Sequence, residues 1–119
     1  MKKIEAIIRE EKLESVKTAL EEKGIVGMTL IRVSGRGRQK GILLQWRAGD
    51  YRVDFLPKIK LEIVLSDDEY KDTVDIICKA ARTGKEGDGM IFVLPVESVI
   101  RVGNSDNSEI CVKTIEGGK

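Results

Sequence analysis

Ile59, Leu61, Ile63 and Leu65 fall at every second position of residues 58–65, with Lys58, Lys60, Glu62 and Val64 between them. Strict alternation is the pattern of a strand with one dry face, and such a strand folds only if a second layer covers that face. Residues 2–9 read the same way, with Ile4, Ala6 and Ile8 alternating against polar neighbours until Ile7 loosens the pattern. Residues 26–33 predict another strand, with Val26, Met28 and Leu30 on one face and Thr29, Ile31 and Val33 on the other; residues 90–94 predict a fourth. A short turn and a final strand are expected over residues 96–102.

The covering layer is legible as two helices. Leu13, Val16, Ala19 and Leu20 recur at helical spacing, and Gly24 stands where a left-handed residue ends a helix most cheaply. Val74, Ile77, Cys78 and Ala81 form a second apolar stripe that Gly84 can end. Ahead of it, Ser66-Asp67-Asp68-Glu69 has the spacing of a capping box, in which the serine hydroxyl and Glu69 satisfy each other's end of the first turn. The order β-α-β, long connection, β-α-β predicts an α+β chain of ferredoxin-like type, two helices on one face of an antiparallel sheet. The 119 residues suffice for one such domain, placed at residues 1–103, with 104–119 as a polar linker and extension in which 109–115 could add an edge strand.

Composition excludes several chemistries. The chain has no histidine, and its two cysteines, Cys78 and Cys111, lack C-x-x-C spacing, which argues against zinc and against histidine-based catalysis. Both cysteines sit among apolar residues and read as inert thiols; a disulfide is not demanded. The net charge is only +1, so generic attraction to nucleic acid or an anionic membrane is not expected, and any anion site must come from local clustering. Met1-Lys2-Lys3-Ile4 lacks the apolar run of a signal peptide and no stretch is long enough to span a bilayer, so a cytoplasmic protein is expected.

Two clusters supply that local chemistry. Ser34-Gly35-Arg36-Gly37-Arg38-Gln39-Lys40-Gly41 interleaves glycines, which let backbone N–H groups approach an anion, with cations that neutralise it; the plainer reading is a solvated basic loop. Thr83-Gly84-Lys85-Glu86-Gly87-Asp88-Gly89 is a second glycine-rich run, weak alone because glycine-rich helix exits are common. Neither has the Walker A spacing. The connection over residues 35–55 reads as irregular, too long for a hairpin turn and too rich in Gly and Arg for a strand. Its Ile42-Leu43-Leu44, Trp46 and Tyr51 suggest a partner surface, or else fold back on the body or a neighbouring subunit. Lys58 and Glu62 read as a solvated face or surface pair. An acylphosphatase-type hydrolase on the same scaffold would need a phosphate cradle beside the first strand, where Glu10 and Glu11 instead follow Arg9.

Several motifs together resemble the PII nitrogen-regulatory family: Met1 to Ile8, Gly27-Met28-Thr29, Arg38-Gln39-Lys40-Gly41, Tyr51, Asp54-Phe55-Leu56-Pro57-Lys58 and Thr83 to Val93, in order from Met1 to about Val102. The resemblance implies a non-catalytic signalling protein, a homotrimer with ATP or ADP between subunits and 2-oxoglutarate held with Mg-ATP at the base of a long T-loop, about residues 36–55. It implies that the T-loop, through Trp46, Arg47 and Tyr51, docks on an ammonium channel or an enzyme of nitrogen metabolism. It assigns Thr29, Gly35, Gly37, Arg38, Gly87, Asp88, Gly89 and Arg101 to the nucleotide, with Thr29 near the adenine. Gln39, Lys40, Gly41 and Lys58 are assigned to 2-oxoglutarate, and Gln39 also to Mg2+ through its amide oxygen.

The sequence departs from the family pattern at Met90, where Lys or Arg is usual, and at Gly103, where a second Arg is usual. Trp46-Arg47-Ala48-Gly49-Asp50-Tyr51 and Ile42-Leu43-Leu44 also differ from the family's T-loop. The alternative expectation is a divergent sensor of another nucleotide or small anion.

Overall fold

The computed structural model describes residues 1–36, 42–46, 49–53 and 55–103, with backbone alone for 42–53. The alternating segments become strands β1 (Lys2–Arg9), β2 (Thr29–Gly35), β5 (Leu56–Leu65) and β6 (Gly89–Pro95), and the periodic segments become helices α1 (Leu13–Glu22) and α2 (Tyr70–Ala81). The four strands form one antiparallel-paired sheet in the order β2-β5-β1-β6. Each β-α-β half therefore leaves room for a strand of the other half, the split arrangement of a ferredoxin-like fold. The expected fold class is the observed one.

One sheet face is dry. Ile4, Ala6 and Ile8 of β1 and Ile59, Leu61, Ile63 and Leu65 of β5 pack beneath Val16 and Leu20 of α1 and Ile77 and Ala81 of α2. Removing a whole buried side chain from such a core, as in Leu20→Ala, typically costs about 2–5 kcal/mol. Helix α1 ends as its glycine suggests. Gly24 has φ +80°, its N–H donates to Glu21 O, and the N–H of Ile25 donates to Leu20 O, which brings Ile25 down onto Leu20.

The opposite face is open and mixed. Lys3 bridges Glu5 at 3.1 Å and Glu62 at 3.3 Å, and Lys60 bridges Glu62 at 3.4 Å. Hydrogen bonds from Lys3 hold the Glu62 carboxyl below its ordinary range, and Glu5 and Glu62 raise Lys3. Around this charged centre stand the exposed Ile31, Met90, Phe92 and Leu94.

Four expectations need correction. The connection between β2 and β5 is not wholly irregular: β3 (Ile42–Trp46) pairs antiparallel with β4 (Gly49–Val53), from Ile42↔Val53 to Trp46↔Gly49. Branched and aromatic residues, Ile42 and Trp46 in one segment and Tyr51 and Val53 in the other, favour that pairing. Strand β2 starts at Thr29, with Val26 exposed before it.

The capping box does not form. The chain turns over Ser66–Glu69, closed by Glu69 N to Ser66 O, so Glu69 becomes the residue before α2 with no side-chain cap. Thr73 donates its hydroxyl to Glu69 O instead. Beyond β6, Ile100 makes a single bridge, with no further strand among the described residues.

Gly89 is the tightest point of the sheet. Its φ is +117°, and a Cβ there would lie 1.8 Å from the Ile7 carbonyl oxygen. Gly89→Ala should therefore lower stability by about 3 kcal/mol or more, read as a fall in the urea midpoint. Gly84→Ala, at φ +86° but in open space, should cost clearly less in the same assay.

Candidate anion site at the end of the sheet

The site begins with two cations on neighbouring strands. Arg9 ends β1, an interior strand, and the register puts Lys58 of β5 directly opposite it. Like charges at facing positions repel. Lys58 is also only 9% exposed, so the expectation of a solvated surface lysine fails. Burial first, and then the Arg9 guanidinium, lower the Lys58 ammonium from its ordinary range. Gly35 on β2 leaves space for its stem: a Cβ there would sit 3.2 Å from Lys58 Cγ.

The loop between α2 and β6 supplies what the two cations lack. Positive φ at Gly84, Gly87 and Gly89 lets the chain fold back over the sheet end. Arg9 Nη2 donates to the carbonyl of Glu86, Arg9 Nε donates to Asp88 at 3.0 Å, and Lys58 Nζ donates to the carbonyl of Gly87. Asp88 organises the rest of the loop. It accepts from Thr83 N and Gly84 N, each at 2.9 Å, and from the Thr83 hydroxyl, while Lys85 N donates to Thr83 Oγ1 at 3.1 Å. These donors, the Thr83 hydroxyl foremost, hold the Asp88 carboxyl far below the usual carboxylate range.

Of the residues singled out from sequence, Gly35, Lys58, Gly87, Asp88 and Gly89 meet at this end of the sheet. Met90 opens β6 beside them, 66% exposed. Thr29 does not join them. It starts β2, opposite Glu62, and β2 and β6 are the two edges of the sheet. Arg101 and Gly103 follow β6 on the surface. Gly37, Arg38, Gln39, Lys40, Gly41 and Arg47 lie outside the described residues, as do Cys111 and the segment 104–119. Trp46 pairs with Gly49, and Tyr51 with Leu44, at the backbone of β3 and β4.

Cys78 is a free, half-buried thiol on an apolar groove of about 400 Å3 between α2 and β6, lined also by Ile8, Ile77, Ala81 and Met90. No group of three metal-ligating side chains occurs among the described residues.

Sequence reading included Thr83 in the second glycine-rich run without giving it a role, and passed over Arg9 as part of this site. Arg9 had a readable signal only once the register was known, because two cations facing each other across a ladder need a counter-dipole.

Two helices over a four-stranded antiparallel sheet, with a glycine loop folded over paired cations at its end, define a ferredoxin-like α+β domain. Comparison with known proteins gives the family. The family model "Nitrogen regulatory protein P-II" matches residues 1–106. The chain is 52% identical over 106 residues to the nitrogen regulatory protein P-II of Pyropia yezoensis, covering 89% of this chain and 95% of that one. It is 50% identical over 112 residues to the protein of the same name from Klebsiella oxytoca, covering 94% and 100%. It is also 50% identical over 112 residues to nitrogen regulatory protein P-II 2 of Methanothermobacter thermautotrophicus, covering 94% and 97%. The chain belongs to the P-II nitrogen regulatory protein family, whose members are signalling regulators and not enzymes.

The Asp88 network makes a pH prediction. A carboxyl depressed by folding contributes stability that is fully present above its ordinary value of 3.8 and is lost as pH falls through the lower folded value. Asp88→Asn should thus be less stable than the parent at neutral pH, and the gap should narrow on acidification. Urea unfolding of both proteins between about pH 2 and pH 7 checks it.

Proposed function

We propose that this chain is a cytoplasmic P-II signalling protein that holds an adenine nucleotide between subunits of a homotrimer, binds 2-oxoglutarate near Lys58, and regulates a target through the T-loop. The carrying observation is the convergence of Arg9, Lys58 and the 83–89 loop at one end of the sheet. Glycine-rich main chain backed by one buried and one half-buried cation is suited to phosphate and carboxylate oxygens.

The position of Thr29 supports a shared site. Strands β2 and β6 are three strand spacings apart, roughly 14 Å. For Thr29 to lie near a nucleotide held by the 83–89 loop, a second copy must bring its β2 edge to the first copy's β6. The open sheet face is the surface available for that assembly: its apolar rim gains from burial, and its Lys3–Glu5–Lys60–Glu62 centre is already internally neutralised. Residues 1–103 form the domain in this reading, and 104–119 an extension from it.

Loop amides and Arg101, with Gly37 and Arg38, would surround the phosphates. Gln39 would offer an amide oxygen to a nucleotide-bound Mg2+, a hard ligand for a hard ion. Lys58 with the amides of Gln39, Lys40 and Gly41 would hold the 2-oxoglutarate carboxylates. Trp46, Arg47 and Tyr51 would contact the target, of which an ammonium channel or an enzyme of nitrogen metabolism is the expected kind. No helix among the described residues is long and apolar enough to cross a membrane, so a channel would be met from its soluble side.

Met90 favours a second reading in part. It stands 66% exposed beside the loop, where a cation would be in reach of phosphate, so this member should bind ATP weakly or favour a ligand with fewer phosphates. Met90→Lys is expected to raise ATP affinity roughly tenfold or more by calorimetric titration, since a charge-assisted bond contributes about 1.5–3 kcal/mol. Tight, ATP-selective binding by the parent, with no gain in the variant, would sink this view. Sedimentation should give a trimer.

Lys58 adds a pH dependence. With its ammonium lowered below 10.5, 2-oxoglutarate affinity should decline with rising pH earlier than an ordinary lysine would dictate, and titrations across the alkaline range read that directly.

A further inference from the structure

The 83–89 loop divides its amides into two groups. Asp88 draws the N–H groups of Thr83 and Gly84 onto its own carboxylate, so neither is available to a ligand. The next peptides are turned the other way. The carbonyls of Glu86 and Gly87 accept from Arg9 and Lys58. In a trans peptide the C=O and the following N–H point to opposite sides, and all peptides among the described residues are trans. A cation that fixes the Glu86 carbonyl toward the sheet therefore turns the Gly87 N–H away from it. Lys58 does the same for the N–H of Asp88.

We propose that Arg9 is a positioning residue of the nucleotide site: its guanidinium sets the plane of the Glu86–Gly87 peptide so that the Gly87 N–H faces an incoming phosphate. This inference rests on the nucleotide reading given above, which already sets Gly87 and Asp88 at the phosphates; what it adds is the role of Arg9, with the Thr83 and Gly84 amides serving the loop. The anchor is rigid. Arg9 belongs to an interior strand paired on both sides, and Gly89, at the far end of the loop, lies against the Ile7 carbonyl. Between these two fixed points, rotation of one peptide changes which donors the site presents.

The fork of the side chain matters as well as its charge. Arg9 donates through Nε to Asp88 and through Nη2 to Glu86 O at once, so one planar group ties the carboxylate that organises residues 83–84 to the peptide that presents residue 87. A lysine brings the same charge without that planar fork. Arg9→Lys thus separates a positioning role from a simple electrostatic one.

The experiment compares the full chain with Arg9→Lys and Arg9→Gln. Each is titrated with ATP and, separately, with inorganic triphosphate, by calorimetry and by amide NMR with residues 83–89 assigned. In the parent, the Gly87 and Asp88 amides should shift with ligand while those of Thr83 and Gly84 stay nearly still. In Arg9→Lys, affinity for both probes should fall roughly tenfold and the Gly87 shift should shrink with it. Parental affinity in Arg9→Lys overturns the inference, as do ligand shifts centred on Thr83 and Gly84. Should Arg9→Gln fail to fold, Arg9→Lys decides alone. Binding of triphosphate without ATP, with the expected shifts and the loss in Arg9→Lys, would end the nucleotide reading and keep Arg9 as the positioning residue of a polyphosphate site; binding of neither probe by the parent would end both.

Discussion

Arg9 and Lys58 face each other across two paired strands, and the functional end of the molecule is built around that pair. Two cations on adjacent strands, one nearly enclosed, are unfavourable until oxygen atoms are brought to them. The 83–89 loop brings three such groups: two main-chain carbonyls and the Asp88 carboxylate. Its glycines follow from that task, because the chain must reverse tightly and then pass within van der Waals contact of the Ile7 backbone to enter β6. What looks in the sequence like a generic glycine-rich helix exit is a counter-charge for the sheet beneath it.

The two charged groups at this end are held differently. Lys58 is held by a neutral carbonyl and not by a carboxylate, so a competing ligand carboxylate would offer it a stronger partner. Asp88, by contrast, is bound by four donors and is the fixed part of the loop. Membership of the P-II family makes this chain a signalling regulator.

The sheet separates two duties by face. Its helix side carries the core and is complete within one chain. Its open side joins opposite charges into a closed group and leaves apolar side chains around them. The charged centre keeps the isolated chain wettable, and the rim leaves area that gains by association. Strands β2 and β6 form the two opposite edges of this face.

The sequence by itself determined the strand and helix segments and the dry face of the sheet, since alternation at Ile59–Leu65 and helical spacing at Val16–Leu20 are local consequences of side-chain burial. The family motifs were equally readable, because glycines and charges at set spacing survive without knowledge of the fold. Local signals failed where two alternatives compete at short range: Ser66 took part in a turn and not a cap, and Ile42–Trp46 found a partner strand in a stretch whose flanking glycines and arginines suggested none. Only the tertiary structure could set Arg9 against Lys58, enclose a lysine that the strand pattern placed on a solvated face, and turn Asp88 inward onto Thr83 and Gly84. Loop closure joins Arg9 to Asp88, 79 positions apart, and no periodicity in the chain records that distance.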